Sequence, residues 1–157
     1  MLKCSWGGTN RAERWRSPGS GRKVGELYTR FIKAVHEGLA ALPLEMEPEI
    51  KGMIWMQGES DAFPPFSDEY ESNLTNLIKD IRSEFKLPEM PFVIGQINNA
   101  PAWTDSIKIK RAQLNVSLKL PNTGLVKTTD YLLSDPWHYN ATGELSPGNC
   151  FAQGMYD

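Results

Sequence analysis

The chain has 157 residues, 40% hydrophobic and 23% charged, a length and composition that suit one domain with a real core and exclude a disordered chain. A net charge of −2, with the basic residues scattered apart from two short clusters at 11–16 and 108–111, supplies no footprint for nucleic acid or an anionic membrane surface. No stretch has the length of a membrane span.

Leu2 to Trp6 reads as the end of a short strand running into Gly7-Gly8. No charged segment followed by an apolar one marks a signal peptide there, so secreted and cytoplasmic locations both stay open, as does the oligomeric state. Residues 24–42 form a helix by periodicity: Val24, Leu27, Tyr28, Phe31, Ile32, Val35, Leu39 and Leu42 fall at three- and four-residue steps until Pro43. His36 follows an apolar position in this helix and belongs on its surface.

Met53 to Met56 is a strand, followed abruptly by Gln57-Gly58-Glu59-Ser60-Asp61. Ser67 reads as an N-cap, with Asp68 and Glu69 in the first turn. The helix it opens puts Tyr70, Leu74, Leu77, Ile78, Ile81 and Phe85 on one stripe and ends before Pro88. Pro91 to Ile97 is a buried strand, and 105–119 a weaker helix ended by Pro121-Asn122-Thr123-Gly124. Leu125 to Thr129 is a last strand. From Ala141 a terminal helix begins, imperfect because of Pro147 and Gly148. Cys4 and Cys150 match no metal spacing and read as free thiols, a disulfide between them being the alternative.

Strands alternating with amphipathic helices argue for an α/β fold, a parallel sheet covered on both faces. Ligands of such folds bind beyond the carboxyl ends of the strands. All the polar clusters fall there: Gly7-Gly8-Thr9-Asn10, then Gln57 to Asp61, then Gln96, Asn98 and Asn99, then Asp130 leading to Asp135 and His138.

Asp135 stands three residues before His138, in a turn with Pro136. A carboxylate at that offset reaches Nδ1–H, sets the tautomer and leaves Nε2 as a general base; the competing reading is a structural hydrogen bond. Neither a second histidine nor a cysteine cluster joins them, so no metal or cofactor is expected. Gly7-Gly8 offers backbone N–H groups for an oxyanion, or is simply a turn. The Gln57 amide is a further possible donor. Glu59 and Asp61 read either as part of the site or as solvated, helix-capping turn residues.

The blocks "KCSWGGTN", "IWMQGESDA", "RAQ" and "DPWHYNATGEL" resemble, in this order, those of the SGNH hydrolase superfamily. The branch most similar is that of sialate O-acetylesterase and acetylxylan-esterase-like carbohydrate esterases, and the resemblance runs from Lys3 to Ala152. It implies one domain over 1–157, a three-layer α/β/α sandwich with a flavodoxin-like sheet. The implied activity is removal of O-acetyl groups from an acetylated carbohydrate without metal or cofactor. His138 matches the general base and Asp135 its orienting acid. Gly8, beside Gly7, matches the main-chain oxyanion donor and Gln57 the side-chain donor. Glu59 matches a residue that holds the loop or touches substrate. Trp15 and Trp103 would contact a sugar ring or merely pack.

One departure matters. The family begins with a strand ending in a Gly-x-Ser-Asn type of block, whose serine is the nucleophile, and this chain has no such block. The resemblance assigns the position of Ser60 to the oxyanion loop, and Ser5 precedes the glycines, so neither takes the nucleophile's role. The expectation is therefore an esterase fragment without its first strand and helix, inactive alone; the last helix, disrupted and ending without a cap, points to a cut at the C-terminus too. The alternative is a catalytically inactive relative that binds carbohydrate or a partner. A phosphate-binding or transferase domain lacks the glycine-rich loop it needs.

Overall fold

The computed structural model describes residues 1–128, 134–135 and 137–155. Among the described residues three parallel strands carry the architecture: β1 (Met53–Met56), β2 (Phe92–Gly95) and β3 (Thr123–Val126), adjacent in that order. Trp55 lies opposite Ile94, and Ile94 opposite Leu125. The register decides the faces, because side chains alternate along each strand. Met53, Trp55, Phe92, Ile94 and Leu125 point to one side, Val93 and Val126 to the other.

The first face is covered by α1 (Glu26–Ala40), α2 (Phe66–Glu84) and α3 (Ser106–Lys119), the second by α4 (Ala141–Gly154). The stripe of α2 drives the larger core: Tyr70, Leu74, Leu77, Ile78 and Ile81 are buried against Leu27, Tyr28, Phe92, Ile94 and Ile109. Each such aliphatic side chain taken out of water contributes about 1.5–3 kcal/mol. On the second face Phe151 of α4 and Met155, just past its end, pack on Val93 and Val126. The expected three layers are present. No helix among the described residues is long and apolar enough to cross a membrane.

Polar contacts hold the ends of these elements. Arg82, in the last turn of α2, donates to Met90 O at 3.0 Å, Pro121 O at 2.9 Å and Asn122 O at 2.8 Å, pinning the entries to β2 and β3. Asn140 caps α4, its side chain accepting from Gly143 N at 2.8 Å.

Several expectations are corrected. Leu2 to Trp6 is not a strand: it has no ladder partner among the described residues, and unpaired extended chain gains nothing from a pleated conformation. Ser67 is not the cap of α2. The helix starts at Phe66, with Pro65 at the cap position, and the Ser67 hydroxyl donates instead to the Asp105 carboxylate. Asp68 and Glu69 do sit in the first turn. β3 begins two residues before its expected start; its expected end at Thr129, with Asp130 and Pro136, lies outside the described residues. The helix α4 runs unbroken through 147 and 148, since a proline removes one main-chain bond without always ending a helix. Cys4 and Cys150 are not joined by a disulfide. His36 lies on the surface of α1, Nε2 2.9 Å from Glu84.

Candidate active site

The site is assembled where the strands end. The carbonyl of Gln57, just past β1, accepts from Tyr70 Oη at 2.7 Å and from Gln113 Nε2 at 3.1 Å. Gln113 is fully buried on α3; it also donates to Gly95 O at 3.3 Å and accepts from Ile97 N at 3.1 Å. One side chain thus ties the ends of β1 and β2, using groups that would otherwise be unpaired in the core. Gly58 then turns the chain at φ 152°, where a Cβ would stand 2.9 Å from Ile109 Cγ2 and 3.0 Å from Ile97 Cγ2. Only glycine combines that dihedral with that lack of space.

The short 3₁₀ turn Glu59–Asp61 follows. Asp61 is completely buried and accepts from Arg11 N at 2.6 Å, Ala12 N at 3.0 Å and Gln57 Nε2 at 2.6 Å. Burial pushes its carboxyl up, while the N–H of Arg11 and the Gln57 amide pull it back. Through these bonds the segment carrying Gly7-Gly8 is folded onto the end of β1. Arg11 is itself buried, with Nη1 donating to Trp15 O at 2.7 Å. Burial lowers its guanidinium to about 10, against the pull of Tyr70 and Asp61, so it stays charged at neutral pH.

Gln57 departs from its expected part. Its Nε2 donates to Thr9 O at 3.0 Å as well as to Asp61, so both amide hydrogens are spent inside the protein. In this arrangement Gln57 holds the loop and has no hydrogen left for an oxyanion. Asp61, expected to be a solvated or capping residue or part of the site, is a buried link in that same network. Trp15 is likewise a core residue, 5% exposed, with Nε1 on Thr9 Oγ1 at 2.9 Å and its ring edge-on to Trp55 at 5.2 Å. A buried indole cannot meet a sugar.

Gly7 and Gly8 are exposed, and Gly8 adopts a left-handed φ of 64°. Nothing stands within 4 Å of where either Cβ would be, and neither N–H has an acceptor among the described residues. Glu59 is half-buried. Burial raises its carboxyl above the usual range, partly offset by its own N–H and that of Gly58, and its charge reaches Tyr139. Ser60 shares its turn, and Ser5 is exposed before the glycines; no hydrogen bond joins either to His138 among the described residues.

In the last loop the Asp135 carboxylate organises everything near it. Its Oδ1 accepts from Trp137 N at 2.7 Å and His138 N at 2.8 Å, and its Oδ2 lies 2.8 Å from His138 Nδ1. A carboxylate can only accept, so Nδ1 is the protonated nitrogen and Nε2 the basic one. The hydrogen bond from His138, then that from Trp137 N, holds the Asp135 carboxyl below its usual range. The imidazole is 75% exposed, and nothing among the described residues bonds to Nε2. Tyr139 Oη donates to Thr128 Oγ1 at 2.7 Å, and Thr128 in turn to Gln96 O, anchoring this loop to the end of β2.

Trp103 is half-buried on the loop after β2, which is tied to the 59–61 turn by Asp105 N donating to Ala62 O at 3.0 Å. Its ring meets Trp137, centroids 5.6 Å apart and planes at 48°. Sequence reasoning assigned nothing to Trp137 or to the linking roles of Arg11 and Gln113. The signal for Trp137 was its place beside His138, and for Gln113 its place in the "RAQ" block; for Arg11 there was none, since a buried arginine reads as a surface residue.

The parallel α/β sheet, with the Asp135–His138 pair in the loop beyond it, is a fold of the SGNH-like type. The description "Carbohydrate esterase, sialic acid-specific acetylesterase" matches residues 1–157, and the chain belongs to that family of carbohydrate esterases. A probable carbohydrate esterase of Arabidopsis thaliana is 31% identical over 155 residues, covering 98% of this chain and 54% of its own. An X-ray structure of a protein from Arabidopsis thaliana superposes with a TM-score of 0.79 at 29% identity, over 96% of this chain and 57% of that one. A carbohydrate acetylesterase from Xanthomonas citri has a TM-score of 0.60 at 25% identity, over 68% and 25%. The chain spans about half the length of the curated relative it matches.

Proposed function

We propose that this chain carries the proton-transfer and oxyanion side of a carbohydrate O-acetylesterase, of the sialate or acetylxylan type. The observation that carries the reading is the 2.8 Å contact of Asp135 Oδ2 with His138 Nδ1, which leaves Nε2 basic and open beside the strand ends. In the reaction a serine hydroxyl attacks the acetyl carbonyl carbon, and His138 Nε2 takes its proton. The same proton passes to the sugar oxygen as the ester C–O bond breaks, while Asp135 stabilises the imidazolium. Water then releases acetate from the acyl-serine by the same route. The N–H of Gly8, with that of Gly7, meets the oxyanion; one such donor is worth roughly 10²–10³ in turnover. Gln57 acts by holding the Thr9 carbonyl and Asp61. Glu59 keeps the turn beside it in shape.

The serine, in this reading, is neither Ser60 nor Ser5 and comes from a segment outside residues 1–157. Loss of the nucleophile from a comparable triad costs about 10⁶ in turnover. The chain alone therefore gives negligible acetate from p-nitrophenyl acetate. A chimaera with a strand and loop ending in Gly-x-Ser-Asn ahead of Met1 gains acetate release that His138→Ala abolishes. Turnover by the chain alone that Ser60→Ala removes overturns the nucleophile assignment. A folded chimaera without activity overturns the esterase reading. It favours the second one, a carbohydrate-binding relative, for which the spent hydrogens of Gln57 speak.

A further inference from the structure

The ring pair beside His138 has no part in the proton chemistry, yet its placement is specific. Trp137 is 44% exposed although it is the bulkiest apolar side chain in its loop. Its main chain is locked by the bond from Trp137 N to Asp135 Oδ1, the carboxylate that also orients His138. Its ring is propped by Trp103 at 5.6 Å and 48°, a tilted arrangement that leaves part of the indole surface to solvent. Trp103 rests on the core, and its loop is tied to the turn after β1. A large ring held at a set angle loses little freedom on binding, which is what a recognition platform requires.

From these contacts we infer that Trp137, backed by Trp103, is the platform for the pyranose ring that bears the acetyl group. The inference rests on the carbohydrate reading above and names the residues that select the sugar. The face of an indole is electron-rich, and the axial C–H groups of a pyranose are electron-poor and apolar, so the two stack while the hydroxyls remain in water. Trp137 and His138 are consecutive and share one carboxylate, so a sugar seated on the ring is carried with the base. Trp103 is a positioning residue: it acts by holding the angle of Trp137.

The probe is acetylated xylobiose, titrated into the native chain and into Trp137→Ala, Trp137→Phe and Trp103→Ala by calorimetry, with thermal unfolding as a control. The expected result is binding weakened about tenfold or more by Trp137→Ala, largely kept by Trp137→Phe, and weakened less by Trp103→Ala, with the Tm of the Trp137 variants little changed. In the serine-bearing chimaera Trp137→Ala should raise KM for acetylated xylan by a larger factor than KM for p-nitrophenyl acetate. Equal binding by native chain and Trp137→Ala overturns this inference and leaves the esterase reading standing. No binding of the sugar by the native chain removes the carbohydrate reading and this inference together.

Discussion

Asp61 Oδ2 accepts the main-chain N–H of Arg11 at 2.6 Å, joining the loop with the exposed glycines to the end of β1 across a separation of fifty residues. The same carboxylate takes hydrogens from Ala12 and Gln57, so one buried side chain ties the segment that follows Gly7-Gly8 to the residue just past β1. Asp61→Ala leaves three buried donors unpaired and should cost about 3–5 kcal/mol. For a domain of this size that is a fall in Tm of roughly 6–20 °C. Asp61→Asn, which keeps one acceptor, should cost less. Thermal unfolding of both variants decides the matter, and a Tm within about 2 °C of the native value for Asp61→Ala would show the network to be dispensable.

Gly58 tests the turn itself. Alanine there must take φ 152° and push its Cβ into Ile109 and Ile97. Strain and overpacking together should cost about 2–4 kcal/mol. Urea denaturation should show the midpoint falling with an unchanged slope; an unaltered midpoint would mean the loop relaxes freely.

Glu59 makes a prediction about pH. Burial raises its carboxyl in the folded chain above the ordinary value of 4.5. The folded state therefore holds a proton more tightly than the unfolded one, and stability contributed by the protonated form is complete below 4.5 and lost as pH rises through the folded value. Glu59→Gln keeps an acceptor for the nearby main chain and cannot ionise. It should raise Tm at pH 7 and matter much less at pH 4. Equal shifts at the two pH values would rule out a desolvated carboxylate as the cause.

The Asp135–His138 pair should behave in the opposite sense. The Asp135 carboxyl is lowered chiefly by the imidazole, so its contribution exists above the ordinary value of 3.8 and disappears as pH falls through the folded one. His138→Ala should return the carboxyl upward, as read from its carbon resonance in NMR. The effect on Tm should be small, because both side chains are exposed and surface pairs contribute little. An unmoved titration would break the geometry on which the proposed base depends.

Local chemistry was legible in the chain itself. Helical periodicity located α1, α2 and α3, apolar runs located β1 and β2, and the offset between Asp135 and His138 foretold the Nδ1 contact, because such features depend on residues a few positions apart. The SGNH resemblance was legible too, since it lies in contiguous blocks. Contacts between distant segments were not. That Leu2 to Trp6 lacks a ladder, that Ser67 serves Asp105, that Trp15 is core while Trp137 stands open, and that Gln57 spends both hydrogens on Thr9 and Asp61 were decided only when the segments met. Burial and hydrogen-bond partnership belong to pairs of residues brought together by packing, and no single stretch of sequence contains both members.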